Sequence, residues 1–151
     1  ILKNEITSVL NFIIESNWYD RRHGIYIIGG SFGGWLTLAV MSNPTLKENV
    51  KGVVFLSPSV APHKSSGKYA KELDKFKYLS SSIQSPKCFG IGSPNDALFP
   101  GATTKDAVDF LNDNLSCDTF KTLIVKSKLH SHKLLVKEKN IQNQIVSWIL
   151  N

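Results

Sequence analysis

The segment Ile25–Met41, IYIIGGSFGGWLTLAVM, restricts this chain to few folds. Ile25, Tyr26, Ile27 and Ile28 run without polar alternation, the pattern of a strand covered on both faces inside a parallel sheet. Glycines crowd the turn that follows, and an apolar helix containing Trp35, Leu36, Leu38, Ala39 and Val40 comes next. Within the turn, Gly29-Gly30-Ser31-Phe32-Gly33 fits G-x-S-x-G, an arrangement in which a tight strand-to-helix elbow lifts a serine hydroxyl above a sheet. Strand and helix backbones pass close together there, so Gly29, Gly30, Gly33 and Gly34 are read as supplying room that a β-carbon would fill. A phosphate-binding βα turn is the competing reading, but G-x-G-x-x-G and the P-loop lysine are both absent.

The rest of the chain supplies a matching frame. Leu2, Ile6, Val9, Leu10, Ile13 and Ile14 make one apolar helical face over residues 2–16. A polar turn, SNWYDRRHG, leads into the strand at Ile25, and His23 in it reads as a surface histidine. The helix after the elbow ends at Asn43-Pro44. Buried strands are expected at Val53–Leu56 and Lys87–Ile91, and a fourth strand at Thr122–Val125. Residues 57–85 form a longer connection in which Tyr69, Leu73 and Phe76 repeat at helical spacing. A helix from about Thr103 to Asn114 carries Thr103 and Asp106 in a capping-box arrangement, and Ile141, Ile145, Val146, Ile149 and Leu150 form a last amphipathic helix. The alternation αβαβαβαβα predicts an α/β fold, a mostly parallel sheet with helices on both faces, in a single domain over residues 1–151.

Composition bounds the function. At 151 residues with 42% hydrophobic and 20% charged content, the chain can bury one real core. No apolar run approaches the roughly 20 residues that span a bilayer. The net charge of +6 comes mostly from lysine, with Lys121, Lys126, Lys128, Lys133, Lys137 and Lys139 clustered late in the chain. They read as a solvated exterior, because aromatic and arginine interleaving of a nucleic-acid site is absent. Cys88 falls in an expected buried strand and Cys117 in an expected loop, so no disulfide framework is predicted and a reducing, cytoplasmic setting is favoured. No Cys and His spacing suggests a metal, and no cofactor is expected.

Serine needs a base to act as a nucleophile, and the base needs a group to orient it. Ser31 follows the first strand, Asp96 the third, and His130 or His132 the fourth, so all lie in loops at one edge of the sheet. The residues alone leave His130 and His132 both open as the base. Asp96 lies in Gly92-Ser93-Pro94-Asn95-Asp96, where a turn role competes.

The order Ser, Asp, His is that of α/β-hydrolases. GGSFGGWLTLAV resembles the elbow of the prolyl oligopeptidase family and its dienelactone-hydrolase-like relatives, and SPKCFGIGSPNDALFP resembles their acid-bearing stretch. The resemblance spans nearly all residues and is specific around Ser31 and Asp96. Gly24 replaces an arginine that these families often place before the elbow strand, and the glycine that usually precedes the base is missing from Ser127-Lys128-Leu129-His130. The resemblance implies the C-terminal portion of an α/β-hydrolase domain, with N-terminal strands missing and supplied by an absent segment or a partner chain. It further implies a serine hydrolase of a small-molecule carboxylic ester. The family pattern favours a small residue after the base, and Ser131 follows His130, so the implied triad is Ser31, His130 and Asp96, with His132 the alternative base and the Phe32 N–H one oxyanion donor. A serine peptidase acting on peptides and a non-catalytic binding module of the same fold are the alternatives.

Overall fold

The computed structural model describes residues 2–16, 19–43, 46, 48–60, 84–99 and 101–151. In chain order its elements are α1 (Leu2–Glu15), β1 (Ile25–Gly30), α2 (Gly33–Met41), β2 (Val50–Leu56), β3 (Gln84–Gly92), β4 (Ala97–Phe99) and β5 (Ala102–Thr103). These are followed by α3 (Thr104–Asn114), β6 (Ser116–Ile124), α4 (Ser131–Lys137) and α5 (Lys139–Leu150). The amphipathic helix expected around Tyr69, Leu73 and Phe76, and the helix stop at Pro44, lie outside the described residues.

Four strands form one parallel sheet in the order β1-β2-β3-β6. Alternation along the strands sorts side chains onto two faces. Val53 and Phe55 of β2 and Cys88 of β3 join Leu38 and Met41 of α2 and Ala107 and Leu111 of α3. Val54, Leu56, Phe89 and Ile91 point the other way, into a cluster with Leu134 of α4 and Ile141 and Ile145 of α5. Helices therefore cover both faces, as the alternation predicts. Helix α1 packs through Ile6, Leu10 and Ile14 against Val40, Leu46 and Ile27. Val9, expected on this face, is largely exposed.

Strand β1 departs from expectation. Ile28 is 45% exposed, so the strand is not covered on both faces. Among the described residues β1 pairs on one side only, with β2, and the continuously buried apolar run belongs to β2 in the sheet interior.

The cysteine expectation is corrected. Cys88 and Cys117 are joined in a disulfide with their Cα atoms 6.0 Å apart. Cys117 does not lie in a loop, because β6 begins at Ser116 and carries it alongside β3. The bond removes the argument from free thiols for a reducing compartment. None of the described helices is long and apolar enough to cross a membrane.

Parallel register aligns the strand ends. Gly30 is opposite Leu56, Leu56 opposite Ile91, and Gly92 opposite Ile124. The ladder continues past these ends through Ser31 N–H to Leu56 O (3.0 Å), Ser57 N–H to Ile91 O (2.8 Å) and Val125 N–H to Gly92 O (2.9 Å). Every loop leaving a strand C-terminus thus starts at one level, on one edge.

Candidate active site

Ser31 occupies the turn between β1 and α2 with φ 53°, a left-handed conformation that non-glycine residues seldom adopt. Its carbonyl accepts from Gly34 N–H (3.0 Å) and Ser59 N–H (3.1 Å), which closes the turn from two sides. The surrounding glycines serve this closure unequally. A Cβ at Gly29 would meet the Thr37 hydroxyl and come within 2.6 Å of the Gly33 carbonyl oxygen. One at Gly30 would run into Ser131 Oγ, and one at Gly34 would press on Pro58 at 3.2 Å. Gly33 differs from the expectation, since a Cβ there would meet nothing within 4 Å. It opens α2 on the outer side of the turn, where no backbone crosses.

Asp96 arrives on the loop after β3 and is buried. Two buried hydroxyls build that loop. Ser93 N–H donates to Thr104 Oγ1 (2.8 Å), Thr104 Oγ1 donates to Ser93 O (3.2 Å), and Asn95 N–H donates to Ser93 Oγ (3.1 Å). Ser93 Oγ also donates to Ser127 O (2.6 Å), which ties the Asp96 loop to the segment leading into His130. Helix α3 is anchored beside it by a full capping box, with Thr103 N–H donating to Asp106 Oδ2 at 2.7 Å; the shorter aspartate suffices.

His130 immediately precedes α4, extended at φ −102° and ψ 137°, while Ser131 turns back at φ 46°. Its Nδ1 lies 2.8 Å from Asp96 Oδ2 and its Nε2 lies 2.8 Å from Ser31 Oγ. The three side chains predicted from separate strand ends therefore meet in one continuous hydrogen-bonded line. The imidazole is 36% exposed and the Asp96 side chain 6%, so the line runs from a buried carboxyl group to the surface. His132, two residues on, is exposed on α4. His23 is on the surface, as expected, against Asp20, whose carboxyl the Arg22 guanidinium holds down at about 2.

The Phe32 N–H, at the start of α2, makes no hydrogen bond among the described residues. It is adjacent to Ser31, and the helix N-terminus favours negative charge there. Sequence reasoning missed Ser59. Its Oγ lies 3.1 Å from Ser31 Oγ, and its carbonyl accepts from Trp35 Nε1 at 2.7 Å. Ser59 belongs to no motif; the one available signal was its place just past the C-terminal end of β2, on the same edge as Ser31. No group of three His, Cys, Asp or Glu side chains able to hold a metal occurs among the described residues.

No protein-family model and no curated protein matches the sequence. Solved structures do match. The dienelactone hydrolase from Anabaena variabilis superposes with a TM-score of 0.67 at 12% identity, covering 98% of this chain and 58% of that one. Acetyl xylan esterase 1 from Thermoanaerobacterium sp. gives 0.63 at 14% identity, covering 98% and 51%. The monoacylglycerol lipase of Paleococcus ferrophilus gives 0.67 at 13% identity, covering 97% and 74%. These are α/β-hydrolase-fold proteins, and the present chain shares that fold over a part of their length. It spans 51–59% of the first four such structures.

Proposed function

We propose that this chain carries the catalytic residues of a serine hydrolase acting on a carboxylic ester, with Ser31 as nucleophile, His130 as general base and acid, and Asp96 as the group that orients it. The observation supporting this most strongly is the unbroken line from Asp96 Oδ2 through His130 to Ser31 Oγ, with both links at 2.8 Å. In this reading Ser31 Oγ attacks the carbonyl carbon while its proton passes to His130 Nε2, and Asp96 stabilises the imidazolium. The Phe32 N–H faces the developing oxyanion. As the C–O bond breaks, His130 returns the proton to the leaving alkoxide, releasing an alcohol. Water then attacks the acyl-enzyme, gives a proton to His130, and the proton returns to Ser31 Oγ as the acid departs.

An ester is preferred to a peptide because the similar structures include acetyl xylan esterases, a monoacylglycerol lipase and other esterases. The exposed Ile28 on the outer strand supports the further reading that residues 1–151 are the C-terminal portion of a hydrolase domain, with additional strands at the free side of β1. Strands that apolar are normally paired or covered.

The test is steady-state hydrolysis of p-nitrophenyl acetate beside a peptide anilide, for the full protein and Ser31→Ala. Ester turnover that falls by about 10⁴-fold or more with Ser31→Ala is expected. Cleavage of the anilide alone would replace the ester with a peptide substrate, and turnover of neither would favour a binding module.

A further inference from the structure

We infer that Ser59 is a positioning residue of this site, holding the nucleophile by donating a hydrogen bond to Ser31 Oγ; the inference rests on Ser31 being the nucleophile.

All three polar groups of Ser59 engage the elbow. Its N–H donates to Ser31 O at 3.1 Å, its carbonyl accepts from Trp35 Nε1 at 2.7 Å, and its Oγ lies 3.1 Å from Ser31 Oγ. The backbone bonds fix where the Ser59 side chain starts, so its hydroxyl meets Ser31 as a consequence of how the β2 loop docks.

Proton accounting sets the direction of that bond. An ionised Asp96 can only accept, so His130 Nδ1 carries the proton between them. In the neutral ring Nε2 is then an acceptor, and Ser31 must donate its single proton to it. Ser31 has no second proton to offer, so the remaining contact requires Ser59 to donate. The line therefore has four members, running Ser59 to Ser31 to His130 to Asp96. When His130 takes its second proton from solvent and Ser31 keeps its own, the bond can reverse, because Ser31 then accepts from Nε2 and is free to donate to Ser59.

This arrangement favours reaction over rest. As the Ser31 proton moves to His130, negative charge builds on Oγ and a donor already in place binds it more strongly. After acylation Oγ is an ester oxygen, a poorer acceptor, and the bond weakens. The Ser59 hydroxyl also discourages rotation of Ser31 away from His130.

Phosphonylation by a fluorophosphonate isolates this step. The Ser31 Oγ–P bond forms, the P–F bond breaks with loss of fluoride, and the serine proton passes to His130. Ser59→Ala keeps both backbone bonds and removes only the hydroxyl, whereas Ser59→Thr retains it. In the full protein, Ser59→Ala is expected to lower the second-order phosphonylation rate about 3- to 30-fold. Ester kcat should fall in parallel with KM nearly unchanged, and Ser59→Thr should stay within about 3-fold of wild type. Far-UV circular dichroism should be unaltered in both. A Ser59→Ala rate equal to wild type overturns the Ser59 assignment alone, as does an equal loss in both variants. A wild type that is not phosphonylated at all removes the Ser31 reading and the Ser59 assignment with it.

Discussion

Three serines at the C-terminal edge of the sheet hold positive φ: Ser31 at 53°, Ser57 at 45° and Ser131 at 46°. Each such conformation costs a non-glycine residue roughly 1–2 kcal/mol. Ser57 is also fully buried with its Oγ unpartnered among the described residues. The strain gathers around the elbow, where glycine spacing becomes critical. Gly30→Ala would push on Ser131 Oγ, one residue after His130, and is predicted to lower ester turnover by about 10- to 100-fold by displacing the base. Gly33→Ala meets open space and should keep activity within about 2-fold, with stability equal or higher by up to about 1 kcal/mol. Kinetics and thermal melts of the two variants check this, and equal damage from both would contradict it. The glycine cluster was legible in the sequence, but the differing work of its members was not, because each depends on what another element brings opposite it.

Elements were legible in proportion to how much they bury. The VVFL run of β2 lies wholly inside, and its apolar continuity marked it. Strand β6 begins at Ser116 rather than Thr122; its early residues, SCDTFK, are mostly exposed on the outer strand, and Cys117 and Phe120, three apart, pack on the core without the period-two alternation that marks a strand. Helix α4 was hidden for a related reason: it is seven residues long and its N-cap, His130, makes no side-chain capping bond. Misplacing the start of β6 also concealed the disulfide, which closes a separation of 29 residues between β3 and β6. Replacing both Cys88 and Cys117 by alanine is predicted to lower unfolding free energy by about 2–4 kcal/mol. Urea denaturation of the double variant, and of wild type with and without reductant, measures this. Reductant should reproduce the variant's loss, and identical midpoints throughout would contradict the prediction.

Taken whole, the molecule is a parallel sheet whose C-terminal edge gathers Ser31, Asp96 and His130 from three different strand ends into one hydrogen-bonded line. The Ser93 hydroxyl donates to Ser127 O and accepts from Ser127 N–H, which ties the Asp96 loop to the segment before His130. Chain order made this gathering legible, since loops at the C-terminal ends of parallel strands share one edge. That His130 rather than His132 meets Ser31 and Asp96 was less legible, because a two-residue difference reverses the direction of a side chain only once α4 is known to begin between them. The measurement bearing most directly on the account is mass-spectrometric mapping of the fluorophosphonate adduct on the full protein, beside His130→Ala and His132→Ala. The account predicts a single adduct on Ser31 that forms at least about 10³-fold more slowly in His130→Ala and at an unchanged rate in His132→Ala. An adduct on another residue, or a rate lost with His132→Ala and kept with His130→Ala, would contradict it.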